Sequence, residues 1–117
     1  MATITVYGIP NCDTVKKTMD WFKKNKLQII FHDYKKEGIS KEKLIAWCKV
    51  TGWEILLNKK STTWRNLSAW QQNKITNQTA AIQLMTEQTS IIKRPVIEFE
   101  EKLLVGFDEK KLQKFFT

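Results

Sequence analysis

The sequence predicts an α/β fold: a βαβ unit at the N-terminus, a ββα unit at the C-terminus, and a helical insertion between them. Three observations lead there. The alternating run Ile4-Thr5-Val6-Tyr7 passes through Gly8-Ile9-Pro10-Asn11 into a helical pattern with Val15, Met19 and Phe22 at i, i+4 and i+7. Gln28–Tyr34 then reads as a second strand, and strand–helix–strand at this spacing implies parallel pairing with a right-handed crossover. At the other end, Pro95–Phe99 and Lys102–Val105 flank Glu100-Glu101 as a hairpin, although the turn lacks an Asn-Gly signal.

The elements follow in order. The first helix spans about Asp13 to Asn25, and Lys35-Lys36-Glu37-Gly38 is a polar break after the second strand. Ser40 caps a helix that carries Leu44, Ile45 and Cys48 on one face and stops near Gly52. Trp53–Leu57 is a short helical turn, Asn58–Thr63 a polar loop, and Ser68-Ala69-Trp70 the opening of another short helix. Ala81, Leu84 and Met85 mark a helix over about Ala80–Gln88. Trp47, Trp53 and Trp70 are expected in the core of this helical part, with Trp64 on a pocket rim. Asp108 caps the last helix, whose apolar stripe is Leu112, Phe115 and Phe116. The order describes one domain, 1–117, with a thioredoxin-like core (1–34 and 91–117) and a helical insertion at 35–90.

Composition narrows the function. At 117 residues and 42% hydrophobic, the chain can bury a real core. Two cysteines exclude a disulfide-stapled secreted scaffold. Met1-Ala2-Thr3-Ile4 shows no leader pattern, and no apolar run approaches the ~20 residues of a membrane span, so a cytoplasmic protein is expected. The net charge of +8 is spread along the chain, without a basic stripe interleaved with aromatics, so nucleic acid is not the expected partner. His32, the only histidine, has no cysteine near it in sequence, and no metal site is expected.

The chemistry concentrates at Cys12. A helix N-terminus presents unpaired N–H groups and the positive end of the macrodipole, which favour the thiolate, the reactive form of cysteine. The N–H groups of Thr14 and Val15 and the Thr14 hydroxyl are candidate donors, with Asn11 in the turn and with Lys16 and Lys17 adding charge. Asp13 opposes them, unless its side chain turns away to serve the helix dipole. Of 20 basic residues only Arg65 and Arg94 are arginines. In so lysine-rich a chain, both are candidates for bidentate anion contact. Cys48 shares a helix face with Leu44 and reads as a buried hydrophobe.

Three motifs give the chain a family likeness. Tyr7-Gly8-Ile9-Pro10-Asn11-Cys12-Asp13-Thr14-Val15-Lys16-Lys17, Leu56-Leu57-Asn58-Lys59-Lys60-Ser61-Thr62-Thr63-Trp64-Arg65, and Ile92-Lys93-Arg94-Pro95-Val96 with Val105-Gly106-Phe107 stand in order along it. Together they resemble the arsenate-reductase-like (ArsC/Spx) family over essentially the whole chain. The resemblance implies a thioredoxin-like fold, Cys12 as nucleophile, Arg94 as binder of an oxyanion or thiol ligand, and a cis Arg94-Pro95 bond packed beside the cysteine. It also shows departures. Two anion-binding arginines of true arsenate reductases correspond to Asn58 and Gly106, and their basic residue four before the cysteine is Gly8. Lys60 and Arg65 could replace part of that charge. The second cysteine of the regulator branch is here Val15. The function expected is therefore a thiol-dependent reductase acting through Cys12, with no bound cofactor and with glutathione or a similar small thiol as co-substrate. Its substrate would be an oxidised thiol or oxyanion. The alternative is an Spx-like regulator that docks on a protein partner such as RNA polymerase.

Overall fold

Ile4–Gly8 forms β1, the strand the sheet is arranged around. The computed structural model describes residues 3–117; Met1 and Ala2, half of the stretch read above for a leader, lie outside the described residues. β1 pairs in parallel with β2 (Ile30–Asp33) and antiparallel with β3 (Val96–Phe99), which pairs antiparallel with β4 (Lys102–Val105). The sheet order is β2-β1-β3-β4, the thioredoxin-like core that the βαβ and ββα halves predict.

Strand periodicity sends alternate side chains to opposite faces. Ile4 and Val6 of β1 join Ile97 on one face, against Trp21 and Phe22 of α1 (Asp13–Lys24) and Leu112 of α8 (Glu109–Phe116). Tyr7 and Val96 face the other way, into a larger cluster shared with the helical part. Asp108 caps α8 by accepting the Lys111 N–H at 3.2 Å. In the hairpin turn Glu100 takes φ +56, the left-handed backbone that an Asn-Gly pair would have supplied more cheaply.

Between the halves run six helices and a 3-10 turn. α2 (Tyr34–Glu37) lies where a strand end and a polar break were expected. Asp33 accepts the Lys35 N–H at 2.9 Å, which starts the turn, and Gly38 at φ +65 ends it. α3 (Lys41–Thr51) is capped by Ser40, but its buried face is Leu44, Trp47 and Cys48. Ile45 is 37% exposed, because the i, i+3, i+4 stripe through Leu44 selects Trp47 instead.

α4 (Trp53–Leu56) is the expected helical turn. The polar loop runs into α5 (Thr62–Arg65), which begins because Ser61 accepts the Trp64 N–H at 3.1 Å. That turn swings Trp64 into the core at 7% exposure, not onto a rim. α6 (Ala69–Asn73) opens with a reciprocal Ser68–Gln71 capping box. Trp70 on it is 68% exposed, with the Lys74 ammonium 3.4 Å above its ring, so it is a surface residue rather than core. α7 (Gln78–Glu87) starts two residues earlier than expected, at the Asn77 cap, and buries Ala81, Ile82 and Met85.

The helical part is stitched to the chain that leads into β3. Asn58 N–H donates to the Ile91 carbonyl and Lys93 N–H to the Leu56 carbonyl, both at 2.8 Å, around a Leu57–Ile92 bridge. The 3-10 turn Thr89–Ile91 sits just before this seam. Leu56, Leu57, Ile91 and Ile92 are all buried there. Each such side chain contributes roughly 1.5–3 kcal/mol of apolar transfer.

Candidate functional site

β1 ends at Gly8, and the turn 9–11 delivers Cys12 to the N-cap of α1 with extended backbone, φ −119 and ψ 124. Its carbonyl accepts the Lys16 N–H at 2.9 Å, the first helical bond. The thiol is half-buried. Burial by itself pushes its pKa up. The Val15 N–H, the Arg94 guanidinium and the Thr14 N–H outweigh that and hold the thiol below its ordinary value.

Arg94 sits two residues before the start of β3, and its peptide bond to Pro95 is cis. Nη1 donates to the Ser90 carbonyl at 2.8 Å, and the Ser90 hydroxyl pairs with that of Thr63 at 2.7 Å. The guanidinium is thereby tethered on one side to the 3-10 turn while its charge acts on Cys12. Pro95 is buried, and its carbonyl accepts the Gly106 N–H at 2.7 Å.

The structure brings together Cys12, Thr14, Val15 and Arg94. The other candidates are exposed side chains. Asn11 is exposed in the turn, Lys60 in the central loop, and Arg65 at the end of α5. Arg94 is the cation that lowers the Cys12 thiol; Lys16, Lys17, Lys60 and Arg65 are not among the groups that shift it. The Thr14 N–H helps hold the Cys12 thiol down, and the Thr14 carbonyl accepts the Thr18 hydroxyl at 2.8 Å. Cys48 is buried, and burial followed by the Glu54 charge raises its thiol. His32 packs on Tyr7 with centroids 4.8 Å apart, and its Nε2 pairs with the Gly38 carbonyl at 2.6 Å, a structural placement. Among the described residues no cluster of His, Cys, Asp or Glu is arranged to hold a metal ion.

Three residues escaped the sequence reading. Ser90 stands four before the arginine it holds, a one-turn spacing that could have signalled it. Glu98 gathers Tyr7 O–H at 2.9 Å, Trp47 Nε1–H at 3.0 Å and the Lys43 ammonium at 3.2 Å, and nothing local announces that. Tyr34, read as the end of a strand, is a buried member of the cluster against which Cys12 packs. A groove of about 840 Å³ lined by Ile29, Ile30, Phe99 and Phe115, among others, includes no residue of the Cys12 site.

A half-buried cysteine at a helix N-cap, within reach of an arginine that precedes a cis proline, is set here in a thioredoxin-like fold. The chain belongs to the ArsC family, which residues 7–115 match. An uncharacterized protein of Haemophilus influenzae is 42% identical over 97% of this chain and 99% of its own. The regulatory protein MgsR of Bacillus subtilis is 25% identical over 95% of this chain and 88% of its own. The global transcriptional regulator Spx of Streptococcus agalactiae is 24% identical over 96% and 82%. Among solved structures, the YffB protein is 41% identical with a TM-score of 0.94, covering 98% of this chain and all of that one. An arsenate reductase (ArsC) related protein from Brucella melitensis is 41% identical with a TM-score of 0.76, over 98% and 95%. The fold is that of ArsC-type thiol reductases, and these relatives support a redox-related function. No helix among the described residues is long and apolar enough to cross a membrane.

Proposed function

We propose that the chain is a thiol-dependent reductase that works through Cys12 alone, with glutathione or a similar small thiol as co-substrate and no bound cofactor. The observation that carries this reading is the Cys12 sulfur faced by the Val15 and Thr14 N–H groups and by Arg94. The Cys12 thiolate attacks the small-thiol sulfur of a mixed disulfide between substrate and small thiol; that S–S bond breaks, a new one forms to Cys12, and the substrate sulfur leaves as a thiolate. A second small thiolate then attacks the adduct, releases Cys12 and carries away the new disulfide. The substrate sulfur is reduced as the second small thiol is oxidised. Arg94 holds the carboxylate or oxyanion of the ligand as a bidentate fork. Buried Cys48, with its raised thiol, takes no part. A reducing compartment such as the cytoplasm suits a lone working thiol.

Oxidised glutathione should form one mixed disulfide, at Cys12, released by reduced glutathione and read by mass spectrometry. Cys12→Ser should abolish the adduct, Arg94→Lys should weaken it, and Cys48→Ser should leave it unchanged. The relatives MgsR and Spx favour a second reading, a regulator docking on a protein partner. No adduct at all, or a Cys12–Cys48 disulfide that added thiol never releases, would move the assignment there.

A further inference from the structure

Tyr34 is 1% exposed, and its hydroxyl is the one buried side-chain polar atom among the described residues without a hydrogen-bond partner. Its ring lies 6.3 Å from Tyr7 in a stacked arrangement and 6.0 Å from His32, edge-on. It shares a cluster with Ile91, Ile92 and Val96, which bracket Arg94-Pro95, and Cys12 packs on the edge of that cluster. α2, which Tyr34 opens, packs against the 3-10 turn whose Ser90 carbonyl tethers Arg94. Burial and then Tyr7 push the Tyr34 phenol up while the Arg94 charge pulls it down, so the hydroxyl lies within electrostatic reach of the guanidinium.

A buried, unpaired hydroxyl is costly, and phenylalanine would fill the same space without that cost. Neighbouring Tyr7 solves the same problem by donating to Glu98. We propose that the Tyr34 hydroxyl is the inner donor of the anion site, hydrogen-bonding a carboxylate or oxyanion oxygen that Arg94 holds beside Cys12. This rests on the anion-binding role given to Arg94 above. A neutral phenol grips an anion without adding charge, and it discriminates anionic ligands from neutral ones of the same shape. The hydroxyl is covered by its neighbours; for a ligand oxygen to reach it, the partly exposed Arg94 side chain must shift as it grips the ligand.

Iodoacetate and iodoacetamide separate the two claims, since they alkylate the same thiolate and differ in carrying a carboxylate or a neutral amide. Rates at Cys12 of the full chain are read by mass spectrometry, above the pH midpoint of that thiol. Wild type should favour iodoacetate relative to a free cysteine peptide, and Arg94→Gln should lose the preference. Tyr34→Phe should slow iodoacetate about tenfold, one hydrogen bond to a charged group, while the iodoacetamide rate and the thermal midpoint hold or rise. If Tyr34→Phe keeps the wild-type ratio while Arg94→Gln loses it, the Tyr34 proposal falls and the anion site stands. If wild type matches the free peptide, the Arg94 role falls with it. Should Tyr34→Phe fold poorly, isotope-labelled wild type decides. The Tyr34 ring-carbon resonance beside the hydroxyl should differ between the carboxymethyl and carbamidomethyl adducts of Cys12, and identical resonances would overturn the proposal.

Discussion

Gly8 and Val15 fit so closely that a Cβ on Gly8 would lie 2.8 Å from Val15 Cγ2. Val15 is 2% exposed in the first turn of α1, where a β-branched side chain has one comfortable rotamer and little room to yield. The strand end and the helix that carries Cys12 therefore lock together through an absent side chain and a stiff one. Gly8→Ala should destabilise the chain by about 1–3 kcal/mol, the usual range for overpacking. Val15→Ala in the same chain should recover part of that, so the two changes should be non-additive in denaturant unfolding. Strict additivity would mean that the contact is softer than it looks.

That fit also shows which parts of the molecule a sequence can reveal. Local signals were legible: the strand-turn-helix around Cys12, the caps Ser40, Ser68 and Asp108, and the hairpin about Glu100-Glu101. Each depends on residues only a few positions apart. The Glu98 cluster was not, because Tyr7, Lys43 and Trp47 come to it from 91, 55 and 51 residues away, and each reads innocently alone. Trp64 and Trp70 were misplaced because four- and five-residue helices are too short for a hydrophobic period to declare a face. Lys60 and Arg65 were grouped with Arg94 by charge alone, and of the three only Arg94 is among the groups that lower the Cys12 thiol.

Cys12 and Cys48 should differ in reactivity, and the sign follows from their surroundings. The Cys12 thiol is lowered and the Cys48 thiol raised, so alkylation at Cys12 should begin below the free-thiol value of about 8.5 and run ahead of Cys48 at every pH between. The folded state binds the Cys12 thiolate better than the unfolded chain does. Its contribution to stability is full above the free-thiol pKa and is lost as pH falls through the lowered value. Residue-resolved alkylation against pH checks this. A Cys12 midpoint at or above that of a free peptide would refute the helix-mouth account.

Arsenate reduction should be weak or undetectable in an assay coupled to glutathione and glutaredoxin. By the family resemblance, Asn58 and Gly106 correspond to anion-binding arginines of true arsenate reductases, and each arginine so missing would forfeit charge-assisted hydrogen bonds of about 1.5–3 kcal/mol. Gly106→Arg alone should not restore activity. Gly106 has open space around it but sits at φ +87, a backbone that side-chain-bearing residues adopt only under strain. Turnover on the order of 1 per second by the unmodified chain would show that Arg94 suffices without them.

Glu98 should govern the acid limb of stability. Burial pushes its carboxyl up, but the Trp47, Tyr7 and Lys43 hydrogen bonds outweigh that and leave it below the ordinary glutamate value. The folded carboxyl is lowered, so its stabilisation is complete above about pH 4.3 and is lost as pH falls through the folded value. The three donors are not equal. Lys43 is 38% exposed at its side chain, and an ion pair that open contributes about 0–1 kcal/mol. Trp47 is 2% exposed and Tyr7 5%, so their donors would be left buried and unpaired by a change at Glu98. Glu98→Gln should therefore cost about 1–3 kcal/mol at neutral pH, because an amide turns one N–H group toward donors that need an acceptor. Lys43→Met should cost less than half as much. The gap between wild type and Glu98→Gln should close as the pH drops, since protonated Glu98 has also lost an acceptor site. Urea midpoints measured from pH 7 down to the acid limb decide it: a gap that stays constant would assign the loss to packing, and a costlier Lys43→Met would return the weight to the ion pair.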